Sequence, residues 1–195
     1  MRVHKDNMKQ LNKNAGFSLL ELLIAVAIMA VLIGASLTTY RVVSKSNVKK
    51  ASGSINDILS LARERAKTIA ADEWNATIEA NGKSVVVKLV KAVKNSDDSY
   101  TEVVLDEAEI PSNVDVKFVD RFGNEGLIDS KSGAYQKISI AFEPLTGAVK
   151  NVYYNGDRSN KMDISKGKMQ IISFYGNKKS STISLYFVTG KHMID

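Results

Sequence analysis

The first third of the chain contains one nearly unbroken apolar segment. Residues 17–38 read FSLLELLIAVAIMAVLIGASLT, and their single charge is Glu21. About 20 apolar residues in a helix span the roughly 30 Å hydrocarbon core of a bilayer. The segment is longer than the apolar part of an ordinary secretory signal. The pattern therefore predicts a membrane-spanning helix.

The helical pattern continues beyond this segment with only one face apolar. From Val48 to Ile69, apolar residues recur at spacings of three and four, and charged residues lie between them. That period is typical of a helix packed on one side. One helix from about Phe17 to Ile69 would be about 80 Å long, and its second half is expected to pack against a sheet.

The remainder of the chain has strand-like segments separated by turn signals. Asn81-Gly82, Glu143-Pro144-Leu145-Thr146-Gly147 and Gly176-Asn177-Lys178-Lys179 each divide two such segments and indicate antiparallel hairpins. The expected strands are Ala76–Glu79, Ser84–Val90, Val103–Leu105, Val114–Val119, Ile138–Phe142, Ala148–Tyr154, Met169–Tyr175 and Thr182–Val188. The predicted fold class is α+β, with a long N-terminal helix packed on a C-terminal antiparallel β-sheet head.

The distribution of charge predicts which side of the membrane each end of the helix faces. The first 16 residues are basic, carrying Arg2, Lys5, Lys9 and Lys13 against Asp6. By the positive-inside rule this end stays cytoplasmic, and the chain after Thr38 faces outward. Much of the net charge of +6 lies in this leader, so the remainder is only mildly basic. The chain has no cysteine, which excludes disulfides and thiolate metal sites.

Two residues go beyond what a membrane anchor needs. Gly16 precedes the apolar segment, so cleavage there would leave that segment on the mature protein, unlike cleavage of an ordinary signal. Glu21 lies inside the segment, where a carboxylate costs roughly 2.5–3.5 kcal/mol on insertion scales. Such a charge needs a partner, and the freed amino group of Phe17 on a neighbouring subunit would be suitable.

These features resemble a known processing motif. Gly16-Phe17-Ser18-Leu19-Leu20-Glu21-Leu22-Leu23 is similar to the prepilin peptidase motif of type IV pilins and type II secretion pseudopilins. The resemblance implies cleavage after Gly16, N-methylation of Phe17 and a role for Glu21 in recruiting and registering subunits. It also implies a lollipop-shaped pilin fold, and a membrane precursor that ends in an extracellular pilus or pilus-like filament. The implied partners are other pilin subunits, the prepilin peptidase, the pilus assembly platform and the membrane.

A second resemblance concerns the end of the helix and one hairpin. The segment from Ile55 to Ala66 is similar to the end of the long helix in GspH/FimT-like minor pilins, and Ile140-Ala141-Phe142-Glu143-Pro144…Gly147 resembles a hairpin of the same proteins. This implies a minor pilin. The expected domains are a leader at 1–16, a transmembrane and assembly half of the helix at 17–38, an amphipathic half at 39–72 and a β-rich head at 73–195.

Few residues suggest chemistry. The histidines, His4 and His192, are predicted on opposite sides of the membrane, and no phosphate-binding loop or nucleophile elbow is recognisable. No catalytic residue, cofactor or metal is therefore expected. The loops 95–98 and 120–126 are better interpreted as solvated turns than as calcium sites, because the ligand alternation of a calcium loop is missing. DNA binding through Lys178-Lys179 and Lys191-His192 is a minor possibility.

Two alternatives to a pilus subunit stay open at this point. The first is a pseudopilin of a type II secretion or DNA-uptake (competence) system, which shares the same assembly physics. The second is a single-span, surface-anchored binding domain that never polymerises. This second alternative predicts that replacing Glu21 changes insertion without any assembly defect.

Overall fold

The computed structural model describes residues 17–69, 73–130, 135–165, 167–176 and 179–195. The chain divides into two compact units, Met1–Arg41 and Val42–Asp195. The one helix, α1, extends over Leu19–Thr68. The strands are β1 Glu73–Asn81, β2 Ser84–Lys94, β3 Tyr100–Ile110, β4 Asp115–Val119, β5 Glu125–Ile128, β6 Lys137–Phe142, β7 Val149–Tyr154, β8 Asp157–Lys161, β9 Lys168–Tyr175, β10 Lys179–Tyr186 and β11 His192–Ile194.

The predicted α+β fold class is confirmed. Within the described residues one long helix precedes two antiparallel sheets, one of six strands in the order β3-β2-β1-β6-β7-β8 and one of five in the order β11-β10-β9-β4-β5. An isolated parallel bridge also joins Ile128 to Tyr135. The three predicted hairpins are present as the pairs β1–β2, β6–β7 and β9–β10. In the first of them Asn81 pairs with Ser84, so Gly82 and Lys83 form the two-residue turn.

The core of the second unit lies between the later part of α1 and the sheets. Six buried helix residues have the predicted spacings of three and four: Val48, Ala51, Ile55, Ile58, Ala62 and Ala66. Leu59, next to Ile58, is buried as well. They share one hydrophobic cluster with Trp74, Ile78 and Phe142 from the first sheet, and with Met169 and Ile183 from the second.

The first sheet is also covered on its other face, because it coils back on itself. Strands β3 and β8 are its opposite edges, yet the Arg158 guanidinium lies 3.7 Å from the centroid of the Tyr100 ring. A β-bulge contributes to the bend: Leu89 pairs with Asp106 and Val90 with Val104, which leaves Leu105 as an extra residue on β3. Polar residues on the covered face are consequently buried.

Glu73 is the charged member of this covered face, with only 7% of its surface exposed. Its carboxylate accepts hydrogen bonds from Lys150 Nζ at 3.0 Å and from Arg158 Nη1 at 2.7 Å. Burial alone would raise the pKa of Glu73, but these two hydrogen bonds and the positive charges of both partners outweigh it and lower the pKa. The ion cluster therefore ties the start of β1 to β7 and β8.

A second set of contacts connects the end of α1 with loops of both sheets. Leu145, in the β6–β7 turn, donates its backbone N–H to the Ala66 carbonyl at 3.0 Å. Arg63 donates from Nε and Nη2 to the Thr189 carbonyl at 3.2 and 3.1 Å. Next to Thr189, Gly190 has a φ of +61°, and a Cβ added there would lie 1.8 Å from the Gly147 carbonyl oxygen. The three segments therefore meet with backbone in direct contact.

We predict that Gly190→Ala destabilises the protein far more than Gly82→Ala. Both glycines have a φ of +61°, but nothing lies within 4 Å of a Cβ added at Gly82. Gly82→Ala should therefore cost only the left-handed strain of about 1–2 kcal/mol, whereas Gly190→Ala adds a clash with backbone and should exceed about 3 kcal/mol. Urea unfolding of the full chain in detergent, followed by fluorescence of the single, buried Trp74, measures both. Equal losses for the two variants would contradict the close contact.

We also predict that Glu73→Gln lowers the free energy of unfolding by about 2 kcal/mol at pH 7, because it leaves two partly buried cations without their carboxylate. A lowered pKa means that this stability is present above the ordinary value of 4.5 and is lost as the pH falls through the lower folded pKa. The two proteins should therefore converge in acid.

The same unfolding experiment, repeated between neutral and strongly acidic pH, tests this pH dependence. Glu107→Gln is the matched control, because Glu107 is exposed and forms no ion pair within the described residues; it should change the free energy of unfolding by no more than about 0.5 kcal/mol. A Glu73→Gln deficit that stays constant down to full protonation of the carboxyl groups would exclude the ion cluster as its cause.

Candidate assembly site at the start of the helix

The N-terminal segment that the motif singles out is described from Phe17 onward, and Gly16 lies outside the described residues. Phe17 precedes the helix, and 87% of its surface is exposed. The first helical hydrogen bond extends from the Leu22 N–H to the Ser18 carbonyl at 3.1 Å. Ser18 is therefore the N-cap of α1, and Phe17 lies directly in front of it.

Ser18 and Glu21 form a reciprocal capping box. The Glu21 N–H donates to Ser18 Oγ at 3.2 Å, and the Ser18 N–H donates to Glu21 Oε2 at 2.9 Å. The pattern of serine followed three residues later by glutamate satisfies two backbone donors that a helix start otherwise leaves unpaired. The carboxylate also lies in the first turn, where the helix dipole favours a negative charge.

Glu21 was predicted to pair with a group on another subunit, and the structure adds a partner within the chain, Ser18. The signal was present, because Ser18-Leu19-Leu20-Glu21 has the spacing of a capping box. Ser18 is therefore an additional residue of this site. Glu21 Oε1 makes no hydrogen bond within the described residues, so the carboxylate keeps one oxygen available for a second donor.

The helix that follows the capping box leaves its apolar side chains uncovered. Large apolar residues from Leu19 to Val43 are exposed, and the most apolar window of the helix is 0% buried. Within the described residues, α1 alone is long and apolar enough to cross a membrane. The hydroxyls of Ser36 and Thr39 donate to the Leu32 and Ala35 carbonyls at 2.8 and 3.1 Å, so they do not add unpaired polar groups to the segment.

The two loops considered for calcium are hydrogen-bonded turns. Asp97 Oδ1 accepts from the Ser99 N–H and hydroxyl, and Asp120 accepts from the Phe122 and Asn124 N–H groups. Burial opposes ionisation of Asp120, but hydrogen bonds from Asn124 and Phe122 lower its pKa. Across the described ranges no group of three or more histidine, aspartate or glutamate side chains is placed to hold a metal ion.

His192 lies beside the helix rather than in an acid–base triad. Its Nε2 is 2.9 Å from Ser60 Oγ, and its Nδ1 is 3.3 Å from the Gly190 carbonyl. A carbonyl only accepts, so the contact with Gly190 requires a proton on Nδ1. Burial lowers the pKa of His192. Among the other residues singled out in the sequence, His4 and Lys178 lie outside the described residues, Lys179 begins β10, and Lys191 directly precedes β11.

The two segments that resemble GspH/FimT-like minor pilins contact each other at the end of α1. Ala66 accepts the hydrogen bond from Leu145, and a Cβ added at Gly147 would lie 2.8 Å from Lys67 Cγ. The resemblance thus concerns one structural junction. The assignment to this subgroup nevertheless stays a prediction.

Comparison with known proteins identifies the N-terminal segment. Residues 11–37 match the family model of the prokaryotic N-terminal methylation motif. The match covers the N-terminal segment and supports a type IV pilin-like family, and the motif indicates a structural rather than an enzymatic class. No curated protein and no solved structure matches the chain. The predicted resemblance to type IV pilins and pseudopilins is confirmed for this segment.

Proposed function

We propose that this chain is a structural subunit, and a minor one, of a type IV pilus. The prepilin peptidase cleaves it after Gly16, Phe17 becomes the methylated N-terminus, and residues 17–38 hold the precursor in the membrane before they enter the filament. The observation that supports this most directly is the coincidence of the methylation motif at residues 11–37 with a helix whose apolar side chains the chain itself leaves exposed.

An exposed apolar helix requires an apolar environment, and the proposal supplies two in succession. Lipid surrounds the helix in the precursor, and the helices of neighbouring subunits surround it in the filament. When the helix moves from lipid into the filament, its buried apolar area changes little. A specific polar contact is therefore needed to fix the axial position of one subunit relative to the next. Glu21 is suited to this contact, because the charge is costly in lipid and gains a cationic partner in the freed amino group of Phe17 on a neighbour.

The capping box separates two roles of Glu21 that a single alanine substitution would confuse. Glutamine at the third helical position also completes a capping box, so Glu21→Gln removes the charge and retains the cap. Conversely, Ser18→Ala removes the serine acceptor and retains the charge. The two variants therefore form a matched pair for distinguishing subunit recruitment from helix stability.

We predict that Glu21→Gln strongly reduces incorporation of the subunit into filaments, while Ser18→Ala retains most of it. Ser18→Ala should cost about 1 kcal/mol in stability at the start of the helix. Incorporation is measured by shearing filaments from cells and comparing the sheared and membrane fractions by immunoblot. Trp74 fluorescence of the full chain in detergent should show an unchanged head in both variants.

Full incorporation of Glu21→Gln would contradict the charge-dependent register. Absence of the unaltered chain from every sheared fraction, with the protein stable in the membrane, would instead favour the anchored binding domain. A short filament associated with secretion or DNA uptake would favour a pseudopilin, which uses the same helix start.

A further inference from the structure

A groove of about 670 Å³ lies within the second unit, between α1 and the end of the second sheet. Ser60 and Arg63 contribute from the helix, and the segment after β10 contributes the opposite wall. The apolar part of its lining includes Tyr186, Val188 and Met193, of which Val188 has 72% of its surface exposed. This apolar surface is open to a ligand or partner.

The same groove is strongly basic. Arg63, Lys168 and Lys191 line it, and none of them pairs with a carboxylate in the described part of the chain. Arg63 donates to the Thr189 carbonyl, and Lys168 Nζ lies 3.4 Å from Ser184 Oγ and 5.7 Å from the centroid of the Tyr186 ring. These contacts leave all three positive charges uncompensated, so the groove is suited to an acidic partner that also carries apolar side chains.

A surface with these complementary properties is present on the same chain. Strand β3 is an edge of the first sheet, and its residues 100–107 are all exposed. The apolar run Val103-Val104-Leu105 is followed by Asp106, Glu107 and Glu109, which form no ion pairs within the described residues. Leu105 is the bulged residue, and 52% of its surface is exposed.

The geometry points to a contact in which the groove of one copy receives the β3 edge of a second copy. Leu105 packs against Tyr186 and Val188, and the carboxylates of Asp106 and Glu107 approach Lys168 and Lys191. Two observations favour a second copy as the occupant. The groove is apolar and basic whereas the β3 edge is apolar and acidic, and both surfaces are exposed.

The use of this contact in a filament rests on the proposed function, although the contact itself does not. Two different surfaces of one subunit meet, so the contact is heterologous, and a pair of copies keeps one free groove and one free β3 edge. It would therefore supplement the helix contacts with a contact between heads. Two copies must meet for it to form, either in the membrane or in the filament.

Disulfide cross-linking tests the contact, because the chain has no cysteine of its own. Full-length Leu105→Cys and Val188→Cys chains with different tags are produced together and oxidised in intact cells. We expect a mixed dimer at about ten times the yield found with Leu105→Cys and Leu127→Cys. Leu127 is a matched control because it is an exposed aliphatic side chain on β5 and does not line the groove.

Charge exchange then tests the polar part of the contact. Lys168→Glu with Lys191→Glu in the Val188→Cys chain should lower the mixed-dimer yield about tenfold, since like charges would face each other. Asp106→Lys with Glu107→Lys in the Leu105→Cys chain should restore it. A yield equal to the control, a yield unaffected by charge reversal, or capture of a different protein by Leu105→Cys in place of the second copy would each overturn the proposal.

Shearing the same cells keeps the two proposals separate. Chains that enter filaments without giving the mixed dimer would overturn the contact between heads and leave the pilus subunit proposal intact. Chains that give the mixed dimer but never enter a sheared filament would support the contact and contradict the filament role.

Discussion

One helix of this chain must be stable in two different environments, an external apolar one along its first part and the protein core along its second part. Up to Val43 the large apolar side chains of α1 are exposed, so this part requires lipid or other helices. From Val48 onward one face is buried under two sheets, so this part forms the core of the second unit. Because the second part is packed against the sheets, the stability of the head does not depend on what surrounds the first part.

Polar contacts secure the helix where burial does not. At its start, Ser18 and Glu21 satisfy each other's backbone donors, and the carboxylate keeps one oxygen for a further donor. At its end, Ala66 and Arg63 hold loops from both sheets. The same Arg63 lines the basic groove, so the junction that stabilises the head also shapes the surface proposed to receive a second copy.

Local patterns predicted the helix and three hairpins because period and turn chemistry are short-range properties. They did not predict β8 and β11, which lack apolar alternation, nor the extension of β3 through its acidic residues. They also missed β5, whose first two residues were interpreted as part of a turn. The coiling of the first sheet depends on pairing across its whole width, so Glu73 could not be matched with Lys150 and Arg158 from spacing. At the candidate site, Glu21 was predicted, whereas Ser18 was overlooked although its signal was local. The groove combines residues from positions 60 to 193 and required the structure.

The most direct test of processing into a filament subunit is mass spectrometry of the N-terminal peptide from cells with and without the prepilin peptidase. We expect a peptide that begins at N-methylated Phe17 in the first strain and an uncleaved leader in the second. A chain that keeps its leader, including Gly16, in both strains would contradict processing into a filament subunit and would favour a surface-anchored domain.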